Sequence, residues 1–298
     1  MIIKEVNNSL ISHYQNPPIH IKEYYNYCLS LLINLLRTTD SNLNIIFGDL
    51  PNTFTNKNKT LKIDIQYEHT IVKKGGRGVI NEVYGKTPTD DGEEYLIRID
   101  RYEYYNSLDF VIEYGFPNLK NIETNKIFND YIKKILVVEP LYSPPNIINK
   151  KRDGSFTIFT NNGSQRRDFI MGEFYKIDEN YINVSNCFSN DCLMNQYSKS
   201  KIMINVHQTD HHHTFEGLRV LPALSQGVLI ISEDVPLKES IPYSNFIIWS
   251  KYDDLPKTLN EVQKNYNFYF NKIFNKDLLK ILNYVDYQNK YQISKILI

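Results

Sequence analysis

The sequence predicts an α/β protein of two Rossmann-like domains followed by a helical C-terminal segment. Three observations carry that prediction. Between residues 156 and 248, short apolar runs alternate with stretches of helical period, the pattern of strands and crossover helices in a parallel sheet. In the first half, apolar runs recur at 44–47, 61–67, 95–99, 110–114 and 135–138, and several are too apolar for an exposed edge, so they suit a buried parallel sheet. Beyond Lys257 the spacing is wholly helical, with Phe268, Phe270, Ile273, Phe274, Leu278, Leu279, Ile281, Leu282 and Tyr284 as its apolar positions.

The elements follow in order. Residues 21–36 place Cys28, Leu31, Leu32, Leu35 and Leu36 on one face of a helix. The strand runs come next, separated by turn-rich loops. Pro140, Pro144 and Pro145 introduce a stretch rich in Asn, Lys, Asp and Gly that ends at Gly154, the composition of a domain linker. The expected division is therefore 1–145, 146–256 and 257–298. In the second half a strand at 156–159 leads to a turn at 161–164, whose Ser164 is placed to cap a helix starting at Gln165. A strand at 181–184, a helix near 192–198 and a strand at 202–206 follow. Residues 214–233 then read as a charged loop, a helix, Gly227 as its stop, an apolar strand at 228–231, and Ser232 and Glu233 at the strand's carboxyl end.

Composition narrows the function. A chain of 298 residues can hold two domains of roughly 150 residues. Its 42% hydrophobic and 23% charged content fits a folded soluble protein and not a disordered one. The 34 basic and 34 acidic residues cancel, so no global field draws the chain to nucleic acid or an anionic membrane, and any basic site must be local. The 23 tyrosines, alongside abundant Asn, Ile and Lys, read as codon bias before they read as stacking platforms. Cys28, Cys187 and Cys192 are too few and too irregularly spaced for a disulfide framework or a four-cysteine zinc site, which fits a reducing compartment. The first residues lack a signal-peptide pattern, and the apolar run at 29–36 falls far short of the roughly 20 residues that span a bilayer. A cytoplasmic protein with no transmembrane segment is expected.

Residues 214–233 carry the chemistry. In open parallel sheets, ligands sit beyond the carboxyl ends of strands, where helix amino termini aim N–H groups at phosphates. A helix opening on Glu216 and carrying Arg219 one turn later presents an acid and a base on that side, which points to a phosphate-bearing ligand.

The stretch 193–207, with Tyr197 closing a helix before a strand, then 214–219 with Glu216 at a helix start, then Ala223, Leu224, Ser225, Gln226 and Gly227, resembles the donor-binding domain of GT-B glycosyltransferases, of the group 1 or family 4-like pattern. The resemblance covers about 155–249. It implies a GT-B-like fold and a hexosyltransferase-like activity, moving a sugar from a nucleotide-sugar to a hydroxyl of a glycan or other acceptor, with no metal and no cofactor beyond the donor. It also implies that Glu216 holds hydroxyls of the ribose or donor sugar, which agrees with a carboxylate accepting two hydrogen bonds from a vicinal diol and kept ionised by the helix dipole. A plain capping role is the alternative. The usual second glutamate, eight positions from the first, is absent. Its place falls on Pro222 with Thr214 as the upstream partner, so retaining chemistry is in doubt.

The remaining candidates are local. Arg219 either bonds donor phosphate or orients Glu216. Arg166 and Arg167, beside the first strand of the second half, match where the family places a basic residue on the diphosphate, and guanidinium forks suit phosphate oxygens. His207, His211, His212 and His213 lie on the loop before Glu216. His213 and Thr214 are candidate donor contacts, and zinc is a rival reading that consecutive histidines serve poorly. In the first half, the glycine cluster with Gly75, Gly76 and Arg77 could line the acceptor side, without P-loop spacing. His69 is the candidate base that takes the acceptor proton, with Glu68, Asp109 and Glu113 behind it. Two other functions stay open: a non-catalytic nucleotide- or sugar-binding protein on the same fold, and an oxidoreductase, weakened by the absence of Gly-x-Gly-x-x-Gly after any expected strand.

Overall fold

A computed structural model describes residues 1–73, the backbone of 83–87, and residues 95–123, 125–147, 152–159 and 164–298. The architecture is GT-B-like α/β: two largely parallel sheets with helices packed on them, facing one another across a cleft.

The first sheet takes β1 (Ile2–Val6), β2 (Ser9–His13), β3 (Leu43–Phe47) and β4 (Lys59–Gln66), with α1 (Lys22–Arg37) between β2 and β3. An insertion follows, made of β5 (Ile71–Lys73), β6 (Val83–Thr87) and β7 (Tyr95–Arg98). The chain then returns through α2 (Tyr102–Asn106) to β8 (Phe110–Glu113), α3 (Phe116–Glu123), α4 (Asn129–Ile132) and β9 (Ile135–Val137). The sheet order is β1-β2-β3-β4-β8-β9, with β1 antiparallel and the rest parallel. Alternation along the strands splits the core in two. Ile63, Ile65, Ile112 and Leu136 pack under α1, while Val111, Ile135 and Val137 pack under α2 to α4.

The apolar run at 95–99 departs from expectation. It pairs antiparallel with β5 and β6 in a separate sheet ordered β5-β7-β6. The reason is connection length: parallel neighbours need a crossover of about a dozen residues or more, whereas β6 and β7 are joined by a much shorter link.

The second sheet is built from β10 (Asp153–Thr157), α5 (Gln165–Ile177), β11 (Ile182–Asn183), α6 (Asn190–Lys199), β12 (Ser200–Asn205), α7 (Gly217–Ser225), β13 (Leu229–Glu233) and β14 (Ile248–Ser250). All five strands run parallel in the order β11-β10-β12-β13-β14. The order reverses between β10 and β12, and their carboxyl ends define the crevice where such sheets bind ligands. Ser164 caps α5 as the sequence predicts, accepting the Arg167 N–H at 3.3 Å. α7 ends in a Schellman motif: Gly227 lies at φ +76°, its N–H donates to the Leu224 carbonyl at 3.0 Å, and the Val228 N–H donates to Ala223 at 3.2 Å. Burial of Val220, Leu221 and Leu224 locks this helix to the sheet, at about 1.5–3 kcal/mol for each.

Helices α8 (Leu255–Lys264), α9 (Tyr266–Ile273) and α10 (Lys276–Ser294) finish the chain. α10 belongs to both cores: Leu278, Leu282 and Val285 pack in the second, and Ile293 with Ile296 just beyond it packs in the first. Two of the three cysteines also depart from expectation. Cys187 and Cys192 form a disulfide across five residues, their Cα atoms 5.6 Å apart, while Cys28 is free and buried. Spacing rules for multi-cysteine frameworks miss such a pair, because here a turn leading into α6 brings the two residues together.

Candidate functional site

The cleft holds a cavity of about 240 Å³ with walls from both halves. Tyr24 of α1, Tyr67 to His69 after β4, Tyr114 after β8 and Tyr142 after β9 come from the first. Ile158 after β10, Phe188, Tyr197 of α6, and Glu216, Leu218 and Arg219 around the start of α7 come from the second. Nearly every contributor lies at or just beyond the carboxyl end of a strand or near the amino end of a helix.

Glu216 occupies the N-cap position of α7, yet its side chain makes no capping hydrogen bond. It turns instead to two guanidiniums: one carboxylate oxygen pairs with Arg219, and the other lies 3.8 Å from Arg167. The capping alternative therefore fails. Burial by itself would raise the carboxyl's pKa, but the guanidiniums of Arg219 and then Arg167 oppose it and hold Glu216 below the usual carboxylate range. The result is an ionised carboxylate, 6% exposed, at the cleft end of a helix.

The two arginines play different parts. Arg219 lines the cavity with a third of its side chain exposed, and so can reach a ligand. Arg167 sits behind Glu216, 2% exposed. It stacks 4.2 Å over Phe159 and donates to the Val206 carbonyl at 3.0 Å, and burial pushes its pKa down to about 10, still cationic at neutral pH.

His69 reaches the same cavity. It stacks on His212 with ring centroids 4.7 Å apart, and its Nδ1 has no hydrogen-bond partner among the described residues. Burial drives its pKa down to about 3 against the opposing pull of Glu216, so the ring is neutral at pH 7.

Other expected residues stand elsewhere. The Arg166 guanidinium is taken up by Glu233 and Asp210 and lies 3.8 Å over the Tyr252 ring, so its fork points away from the cavity. Thr214 is buried, and its hydroxyl accepts the Ile71 N–H at 2.8 Å, tying the histidine loop to β5. A β-bridge between Val72 and His212 continues that tie. His213 holds the Asp210 carbonyl at 2.9 Å through Nε2, and burial lowers its pKa to about 4. Asp109 accepts the Lys62 N–H at 2.8 Å, and Glu113 is buried against Asn118. Gly75, Gly76 and Arg77 lie outside the described residues. Among the described residues, no three His, Cys, Asp or Glu side chains group as a metal ion would require, and no helix is long and apolar enough to cross a membrane.

Sequence reasoning missed Glu23, Tyr24, Phe188 and the tyrosines after β8 and β9. Tyr114 and Tyr142 carried a usable signal, since each follows an apolar strand in a sheet whose ligand edge is its carboxyl edge. Pro222 also gains a role. It cannot donate to the Leu218 carbonyl one turn back, and the Tyr142 hydroxyl bonds that oxygen instead, at 3.5 Å across the cleft.

No family model matches the chain. A stretch of 91 residues, 29% of the chain, is 35% identical to an uncharacterized protein, R358, of Acanthamoeba polyphaga mimivirus, and corresponds to 32% of that protein's length. Among solved structures, the crystal structure of TarM aligns over 90% of this chain and 54% of its own, at 12% identity and a TM-score of 0.41. The chain thus spans about a third of the viral relative and about half of TarM.

Proposed function

We propose that the chain is a glycosyltransferase that moves a sugar from a nucleotide-sugar to an acceptor hydroxyl without a metal. One observation carries the reading: an ionised, buried carboxylate, Glu216, stands at the amino end of α7, on the ligand edge of a parallel sheet beside its switch point, held by two guanidiniums and not used as a cap. A carboxylate so placed binds the vicinal hydroxyls of a ribose or sugar, while Arg219 and the α7 amino terminus supply the positive charge that a diphosphate needs.

The acceptor oxygen attacks the anomeric carbon, the bond from that carbon to the diphosphate oxygen breaks, and the nucleoside diphosphate leaves with the bonding pair. The acceptor's proton passes to the neutral ring of His69. An imidazole of pKa about 3 is by itself a weak base. A diphosphate arriving beside it adds negative charge, which favours the imidazolium and strengthens the base when the donor is bound.

The test is a thermal-shift panel of UDP-, GDP-, CMP- and dTDP-sugars, in which a ligand at a hundred times its Kd adds about 2.7 kcal/mol of stability. One nucleotide class is expected to shift the melt, and Glu216→Gln is expected to remove the shift. No response from any nucleotide would sink the reading. Turnover separates a transferase from a binding protein: slow donor hydrolysis is expected, and saturable binding with none would leave only the binding role.

A further inference from the structure

Three carboxylates line the cavity, Glu23, Glu68 and Glu216, and they differ in what meets them. At the α7 end, the Glu216 charge is met by Arg219 and Arg167. Glu23 of α1 and Glu68 after β4 form the acidic wall that the first half contributes to the cavity, with no guanidinium or ammonium paired to either among the described residues. One Glu23 oxygen accepts the Asn190 N–H at 3.1 Å, a neutral donor. Glu68 has a cation nearby in Arg98, but that guanidinium is forked onto Asp100, with one arm at 2.8 Å. Burial first, and then the Asp100 charge, raise the Glu68 pKa, and the opposing pull of Arg98 and His20 does not outweigh them.

Aromatic faces complete this wall. Tyr24, Tyr67, Tyr114, Tyr142 and Phe188 line the same space. Tyr197, 1% exposed, lines it as well, and its hydroxyl has no hydrogen-bond partner among the described residues. A buried hydroxyl left unsatisfied costs about 1–3 kcal/mol, so a polar group arriving there is favoured. Ring faces attract cations through their quadrupole, and carboxylates attract them directly.

We propose that this wall binds an ammonium group, and that the acceptor is therefore an amine-bearing hydroxyl compound such as an amino sugar. The word acceptor rests on the transferase reading; the ammonium site does not. In the proposed arrangement, the donor diphosphate lies at Arg219 and the acceptor ammonium at Glu68 and Glu23, with the reacting hydroxyl between them, near His69. Opposite charges at the two ends orient the acceptor and keep a second diphosphate out.

The experiment is calorimetric titration of the full chain, without nucleotide, with glucosamine, glucose and N-acetylglucosamine. Glucosamine is expected to bind at least tenfold more tightly than the two neutral sugars, and Glu68→Gln is expected to reduce it to their level. Tyr67→Leu, which leaves the carboxylates in place, is expected to weaken glucosamine several-fold and glucose less, and it provides a second reading if Glu68→Gln does not fold. Equal affinity for all three sugars in the wild type overturns the proposal, as does an unchanged glucosamine preference in folded Glu68→Gln. The two readings fail separately: glucosamine binding with no nucleotide response removes the transferase and keeps the site, whereas a nucleotide response with no ammonium preference does the reverse.

Discussion

At the residue scale, the two arginines that flank Glu216 should part company under mutation. Arg219 is the exposed partner, so Arg219→Ala removes the proposed ligand contact while Arg167 still balances the carboxylate. Nucleotide affinity is expected to fall about tenfold or more, with a small change in unliganded stability. Arg167→Met instead leaves a buried carboxylate with one counter-charge and strips the Val206 carbonyl of its donor. A loss near 3 kcal/mol in urea unfolding is expected, toward the lower end for breaking a buried pair because Arg219 remains. If the two variants lose equal stability, the division between a ligand-facing and a supporting arginine is wrong.

At the element scale, α7 was the part of the molecule most legible in the sequence, because its signals are local. Glu216 opening the helix and Gly227 closing it follow from residue types within a dozen positions, as does Ser164 capping α5. What stayed hidden was made by distance in the chain. Nothing local to Arg166 says that Glu233, 67 residues on, will occupy its fork, and that pairing leaves Arg167 and Arg219 at Glu216. Nor does apolar spacing in α10 say which core receives it, since periodicity fixes that a face is buried and not against what. The legible glycine gives a direct test. A Cβ at position 227 would have to adopt φ +76° and would meet the Arg152 guanidinium at 3.4 Å, where Arg152 donates to the Gln226 carbonyl at 2.7 Å. Gly227→Ala should cost about 1–2 kcal/mol from the left-handed backbone alone, read as a lower denaturation midpoint with unchanged slope. A neutral outcome would mean that α7 does not depend on its glycine stop.

At the scale of the whole molecule, the halves are joined by a polar knot that should make stability depend on pH. Asn289 of α10 clasps the backbone of Glu139, accepting its N–H and donating to its carbonyl, both at 2.8 Å, while Tyr243 of the second half donates to the Glu139 carboxyl at 3.0 Å. Glu113 lies close by, hydrogen-bonded to Asn118 and to the Tyr114 N–H. Burial pushes both carboxyls up to about 8, and for Glu113 the neighbouring Glu139 adds to it, so at neutral pH each is held largely protonated. The folded pKa exceeds the unfolded value, so this contribution is complete below about 4.5 and is lost as pH rises through 8. The histidines act in the opposite sense. Burial lowers His69 to about 3 and His213 to about 4, so their contribution is complete above the unfolded value near 6.5 and is lost on acidification. Between pH 6.5 and 8.5 the imidazoles are silent and the carboxyls remain. The two histidines and the two carboxyls oppose one another between about pH 4.5 and 6, so the melting temperature should be nearly level there and fall from about 6 toward 8.5, a change on the order of a few kcal/mol. Glu139→Gln keeps an acceptor for Tyr243 without a charge, so it should flatten the alkaline limb and melt above the wild type at pH 8.5. An alkaline limb equally steep in Glu139→Gln would place the titrating group elsewhere and remove this knot as the proton-sensitive link between the halves.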